Sequence, residues 1–402
     1  MNQNYQYVNS SSTGLGAAIE KNAARSRRSK LIVLASVIGL LGIIGIAVGV
    51  GVSVSQRNKS SSSSSSSSSP GGSTNSDNTP KQTDPNDPSS FVKDSRFHKA
   101  FYGMAYTPEG SLLPDCGNSL DSVIKDIQIL SQLTSRVRLY GADCNQTALV
   151  LEAIKQTKVD MQVYVGNYPV PNDDGVYTRQ RDTIRDAITT YGTDHIAGIT
   201  VGNEFMLNYL TSNGATDPNG SVGQTGAAML VRYIKDTRDM LASLNLPKTI
   251  PVGNSDAGSF FSTEVLSNVD YGLSNVHAWF ANTTANDAAG WVSNFFQETN
   301  VQPASLLPNN PKMYIAETGW PTKSSDAANA NNGASDASEA NLQIFLDTFV
   351  CQANTNGTPY FYFELFDEEW KDKQFGGVEG WWGLFNKDRS LKNIKLPTCT
   401  AP

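Results

Sequence analysis

Three patterns of apolar and polar positions follow one another along the chain. Residues 1–30 are polar, with Lys21, Arg25, Arg27, Arg28 and Lys30 gathered near their end; Leu31 to Val54 then runs for 24 residues without a charged side chain. As a helix, at about 1.5 Å per residue, that run is about 36 Å long and spans a bilayer with some tilt. A cleaved signal peptide has a shorter apolar core, of about 7 to 15 residues, close to the start. The run therefore reads as a retained transmembrane helix over 31–54. Basic residues crowd its N-terminal flank and only Arg57 and Lys59 follow closely, which predicts a cytoplasmic tail over 1–30 and a type II anchor. The serine run Ser60 to Ser69 opens a Ser/Pro-rich segment over 55–91. With no apolar area to bury against its ordering entropy, that segment is predicted to be a disordered linker.

Beyond it, over 92–402, short apolar or β-branched runs alternate with longer helical stretches. The runs are Phe101–Tyr106, Arg136–Gly141, Met161–Gly166, Ile196–Val201, Ile250–Gly253, Gly272–His277, Lys312–Ala316 and Tyr360–Leu365. Between them, Ser119–Thr134, Thr178–Thr190, Thr225–Leu244 and Ala337–Gln352 read as helices. Strand–helix alternation implies βαβ units and a parallel sheet. Eight such units in about 300 residues have the count and size of a (β/α)8 TIM barrel, an α/β fold whose chemistry sits just beyond the C-terminal strand ends.

Composition sharpens the division. The 402 residues carry 31 basic and 38 acidic side chains, net −7; the first 90 hold 8 and 4 of these, leaving 23 against 34, net −11, for residues 91–402. A domain that acidic, without clustered Lys and Arg, is not a nucleic-acid binder. All four cysteines, Cys116, Cys144, Cys351 and Cys399, fall in it, on the side the anchor makes oxidising. Three connectivities are open; pairing Cys116 with Cys144 and Cys351 with Cys399 is favoured because each closes a modest loop. Sequons at Asn58, Asn145, Asn219, Asn282 and Asn356 fit a lumenal route and mark N-glycosylation candidates. Three scattered histidines and no close Cys/His pair give no metal site, and no motif calls for a cofactor.

The strand ends carry the chemistry. The fourth run finishes Val201-Gly202-Asn203-Glu204 and the seventh Ala316-Glu317-Thr318-Gly319-Trp320-Pro321, each placing a carboxylate directly after a buried apolar stretch. An unpaired ionised group there costs several kcal/mol. Two such groups at one barrel mouth suit glycoside hydrolysis, in which a protonated carboxyl serves the leaving oxygen and an ionised one the anomeric carbon. Tyr106, Tyr140, His277, Trp279, Trp320 and Trp370 offer faces and polar tips to pyranose rings, Asn203 can hold a hydroxyl, and Glu368 and Lys371 bring charge to the eighth strand end.

These motifs, with Asn275-Val276-His277, Arg136-Val137-Arg138-Leu139-Tyr140 and Phe101-Tyr102-Gly103, resemble glycoside hydrolase family 17 over nearly all of residues 97–385. With the anchor and serine tether, the layout is similar to that of membrane-anchored fungal glucan endo-1,3-β-glucosidases. The resemblance implies a retaining endo-β-1,3-glucanase with Glu204 as acid/base and Glu317 as nucleophile, supported by Glu368 and Lys371. It implies β-1,3-glucan as partner, a monomer, and residence at the plasma membrane with the catalytic domain facing the cell wall. Glucanosyl transfer at the same site, or glucan binding without turnover, are the alternatives. Ala278 and Trp279 replace a proline usual after the sixth-strand His, and Glu369 and Trp370 add an acid and an aromatic at strand eight, so subsite shape departs from the plant members.

Overall fold

The computed structural model describes residues 80–402. The predicted tail, anchor, most of the linker and Asn58 lie outside the described residues. Among those described, no helix is long and apolar enough to cross a membrane. The last linker residues are held against the domain: Gln82 bridges Phe91, and Gln128 Nε2 donates to the Pro88 carbonyl at 2.8 Å. Ordered packing thus begins ahead of residue 92.

All eight predicted runs form strands: β1 Gly103–Ala105, β2 Arg136–Arg138, β3 Gln162–Asn167, β4 Ile196–Asn203, β5 Val252–Ala257, β6 Tyr271–Asn275, β7 Lys312–Thr318 and β8 Tyr360–Tyr362. They close into one barrel in the order β1-β8-β7-β6-β5-β4-β3-β2, every pairing parallel. The chief helices are α1 Leu120–Leu133, α2 Gln146–Thr157, α3 Asp174–Tyr191, α4 Phe205–Ser212, α5 Ser221–Ser243, α6 Ala285–Phe296, α7 Glu339–Thr355 and α8 Glu369–Phe375. Several start where the sequence supplies a cap: the side chains of Ser119, Asp173, Thr284 and Ser338 each accept a backbone N–H of the first turn of α1, α3, α6 and α7.

Alternation along each strand makes two cores. One face packs on the helices; the other fills the barrel lumen with Tyr164, Tyr271, Leu273, Tyr314, Ala316 and Phe361, tied by a Thr200–Tyr271 hydroxyl contact of 2.9 Å. The lumen is packed and is not a pore, and in this fold the chemistry sits at the mouth formed by the C-terminal strand ends. The favoured disulfides are both present, Cys116–Cys144 and Cys351–Cys399. The first joins the loops after β1 and β2 at the mouth; the second ties the C-terminal tail to α7.

Candidate active site

Period-2 alternation does not by itself bring Glu317 inside. Tyr314 and Ala316 of β7 face the lumen, so Glu317 would face outward on a regular strand. Instead Ser274 pairs with Ile315 and Asn275 with Glu317, while on the other side Tyr360 pairs with Ile315 and Tyr362 with Thr318. One extra residue in β7 flips Glu317 into the mouth. A second bulge lies in β4, where Thr200 pairs with Gly253 and Asn203 with Ser255. It turns on Gly202 (φ +98°), where an added Cβ would stand 2.6 Å from Asn254 Nδ2. Both candidate carboxylates are thus delivered by bulges, the device that re-aims side chains beside active sites.

The two carboxylates sit in opposite environments. Glu317 is buried, and burial alone would raise it. Yet His277 Nε2 lies 3.1 Å from Oε2, and Arg138 Nη1 donates to Oε1 at 2.8 Å. These partners win and hold Glu317 down to about 2. An ionised carboxylate only accepts, so the His277 contact places that proton on Nε2. Glu204 has no cation of its own. Burial first, then the Glu317 charge, pushes it up to about 7 against the single hydrogen bond from Asn275 Nδ2 at 3.0 Å. At mild acidity the mouth therefore holds one protonated and one ionised carboxyl group.

Arg138 organises this arrangement. Its fork reaches Glu317 on β7, Asn203 Oδ1 at 2.5 Å on β4 and Ser255 Oγ at 2.9 Å on β5, while Tyr140 lies 4.2 Å under its guanidinium. Asn203 is thereby fixed beside Glu204. At the eighth strand, Lys371 Nζ lies 2.8 Å from Glu364 Oε2 and 3.0 Å from Glu368 Oε2, both carboxylates buried and the lysine partly so. Burial and the neighbouring Glu368 push the Glu364 carboxyl well up.

The structure brings Glu204, Glu317, Asn203, Tyr140, His277, Glu368 and Lys371 together as expected from sequence, and corrects other assignments. Tyr106 is 1% exposed and donates to Asp126 on α1 at 2.7 Å; Trp320 is 0% exposed and donates to the Asp336 carbonyl at 2.9 Å. Both face the helix layer, because alternation puts them opposite Ala105 and the bulged Glu317. Neither is a sugar-stacking face. Trp279 is buried edge-on against Phe280 and Trp382, so it supports the floor instead of offering an open face. Trp370 is half-buried on α8 against Phe375. Asn145, Asn219, Asn282 and Asn356 are all exposed.

Sequence reasoning assigned no individual role to Arg138 or Asn275, although both lie in the motifs quoted above, and did not find Glu364, Glu379 or Tyr168. Arg138 was legible: Arg136, Arg138 and Tyr140 alternate with Val137 and Leu139, which puts polar groups on the lumen face. Trp382 packs against His277 at 4.9 Å between ring centroids. Tyr168 follows β3 and remains 36% exposed, its hydroxyl pushed up to about 12 by burial and by the charges of Glu204 and Glu317. Buried Gln180 clamps its backbone, accepting from Tyr168 N–H at 3.0 Å and donating to its carbonyl at 2.9 Å. Around the mouth, Tyr140 Oη, Asn275 Oδ1, His277 Nδ1, Glu379 Oε1 and Trp382 Nε1 are buried without a protein partner. That mixed donor and acceptor set suits a polyhydroxylated ligand.

Known proteins point the same way. A family profile described as the BtgE/BtgC glycoside hydrolase domain matches residues 103–383. The probable glucan endo-1,3-β-glucosidase btgC of Aspergillus flavus is 34% identical over 342 residues, covering 81% of this chain and 48% of that protein. The glucan endo-1,3-β-glucosidase btgC of Emericella nidulans is 35% identical over 318 residues, covering 75% and 46%. The chain thus spans about half the length of these relatives. Among solved structures, an active-site mutant of Rhizomucor miehei β-1,3-glucanosyltransferase in complex with laminaritriose is 25% identical, with a TM-score of 0.59 over 75% of this chain and 98% of that one. A bulge-built carboxylate pair at the mouth of a closed eight-stranded barrel, together with these matches, shows that the chain belongs to the BtgE/BtgC glycoside hydrolase domain family.

Proposed function

We propose that this protein cleaves β-1,3-glucan by retaining double displacement. The observation that carries the reading is the electrostatic split of the pair: Glu204 pushed up to about 7 and Glu317 held down to about 2. Glu204 then donates its proton to the leaving glycosidic oxygen while the Glu317 carboxylate attacks the anomeric carbon. The C–O bond to the leaving sugar breaks as the glycosyl ester to Glu317 forms. Glu204, now ionised, takes a proton from an incoming hydroxyl that displaces Glu317, so the anomeric configuration is kept. Arg138 and His277 keep the nucleophile charged, and Lys371 balances Glu364 and Glu368 beside it. Glu317→Ala tests the assignment: the folded variant releases no reducing ends from laminarin, and undiminished release would refute it.

Whether water or a second sugar intercepts the ester decides between hydrolysis and glucanosyl transfer. The transfer reading draws its support from the Rhizomucor miehei glucanosyltransferase, nearly all of which aligns with this domain. Mass spectrometry of products from laminaripentaose separates the two, since chains longer than the substrate mark transfer. The account extends to an anchored monomer remodelling the fungal cell wall, displayed through 31–54 from the plasma membrane, with glycans on its exposed sequons. Protection of residues 1–30, but not of the barrel, from protease added to intact protoplasts is the expected topology. Protection of the barrel would refute it.

A further inference from the structure

Asp256, at the end of β5, has no part in the chemistry above, yet it is fully buried and both of its oxygens are engaged by backbone. Oδ2 accepts the Met206 N–H at 2.8 Å; Oδ1 accepts those of Leu207 at 3.2 Å and Ala257 at 3.0 Å. Met206 and Leu207 are the second and third residues of α4, the two donors that a helix's own N-cap side chain normally satisfies. The N-cap residue here is Glu204, in the left-handed region at φ 55°, ψ 31°, and its side chain makes no capping bond. Free N–H groups in the first turn of a helix attract a carboxylate within reach, because the N-terminal end of the helix carries partial positive charge. In this chain the Glu204 carboxylate instead reaches Asn275 at 3.0 Å in the mouth.

We infer that Asp256 is a positioning residue for the proposed acid/base: by capping α4 from the neighbouring strand, it releases the Glu204 carboxyl group to the substrate and holds Glu204's unfavourable backbone in place. The residues beside it act on the same segment. Asn254 Nδ2 donates to the Val201 carbonyl at 2.8 Å, and the Ser255 carbonyl accepts the Glu204 N–H at 3.2 Å. Three consecutive residues of β5 therefore grip β4 from Val201 through the start of α4. A non-glycine residue at positive φ is strained, and the strain persists only where surrounding contacts over-determine it. When the cap is lost, Glu204 can turn to the free N–H groups of Met206 and Leu207.

The inference rests on the acid/base assignment of Glu204, and its test keeps the two apart. Activity of wild type, Glu204→Ala, Asp256→Asn and Asp256→Ala is compared on laminari-oligosaccharides, whose leaving alcohol needs a proton, and on 2,4-dinitrophenyl β-laminaribioside, whose leaving group does not. Mispositioning of the acid should lower kcat/KM on the oligosaccharides by roughly tenfold to a hundredfold, part of the 10²–10⁴ that general-acid catalysis supplies. The loss on the dinitrophenyl substrate should be below about threefold, the same direction of selectivity as in Glu204→Ala. Equal losses on both substrates, or failure of the near-isosteric Asp256→Asn variant to fold, would assign Asp256 to stability and overturn the inference. If Glu204→Ala itself shows no leaving-group selectivity, the acid/base assignment fails instead.

Discussion

Arg138→Met removes the permanent cation that helps hold the proposed nucleophile ionised while keeping an unbranched stem in its place. The guanidinium nitrogen lies 2.8 Å from Glu317, but its charge is spread over the fork. A charge separation of about 4 Å at an effective dielectric of about 20 gives about 4 kcal/mol of attraction. At about 1.4 kcal/mol per pH unit that is up to about three units. Glu317, now held at about 2, should rise to about 5 in the variant, with His277 its remaining partner. Activity needs the ionised form, which is present above this pKa and lost as pH falls through it, so raising the pKa moves the acid limb upward. The assay is kcat/KM for reducing-end release from laminarin at pH 4 and pH 6, on protein shown by circular dichroism to be folded at both. In wild type Glu317 is ionised at both values and the ratio stays near one. In Arg138→Met about a tenth is ionised at pH 4 and about nine-tenths at pH 6, so the ratio falls to about 0.1. Because it is internally normalised, the ratio is insensitive to any further loss from a displaced Asn203. A ratio still near one would refute the role given to Arg138.

Three further outcomes follow from the same geometry. The basic limb of wild-type kcat/KM should lie near pH 7, where Glu204 gives up its proton; above it the rate falls about tenfold per pH unit, and Asn275→Ala, which removes a bond to the ionised form, moves that limb upward. Lys371→Met leaves Glu364 and Glu368 buried without their cation and should cost about 3–5 kcal/mol at pH 7 in thermal unfolding. Its folded form then binds more protons than the unfolded chain above the ordinary carboxylate pKa of 4.5, so the deficit grows as pH rises from there and is smaller at pH 5 than at pH 7. Replacing Cys351 and Cys399 by Ser opens a link across 48 residues and should cost about 4 kcal/mol, or roughly 8 °C in Tm, with activity retained below the transition.

Much of this was legible in the sequence, and the limits have physical causes. Eight runs ending in polar residues marked the barrel, and the two carboxylates beyond apolar stretches marked the mouth, because burying a charge there is costly enough to need a reason. Which face a side chain takes was less legible. Tyr106 and Trp320 both follow barrel strands, but alternation sends them to the helix layer, against Asp126 and Phe345. Glu317 escapes the same fate only through the β7 bulge, which leaves no signature in Ala316-Glu317-Thr318; the β4 bulge leaves one in Gly202. Arg138 lies inside a strand instead of beyond it, and so escapes a search confined to strand ends. Asp256 and Gln180 act through long-range hydrogen bonds to backbone, which residue type alone does not reveal.

The claim that Glu317 is the nucleophile of a retaining glucan-cleaving enzyme is tested most directly by trapping. Incubation with 2,4-dinitrophenyl 2-deoxy-2-fluoro-β-laminaribioside, followed by peptide mass mapping, should find one fluoro-laminaribiosyl group per chain on the peptide containing Glu317, with activity lost in proportion. An enzyme that turns over laminarin yet carries the label on another carboxylate, or releases the inverted anomer with no label at all, would contradict the account.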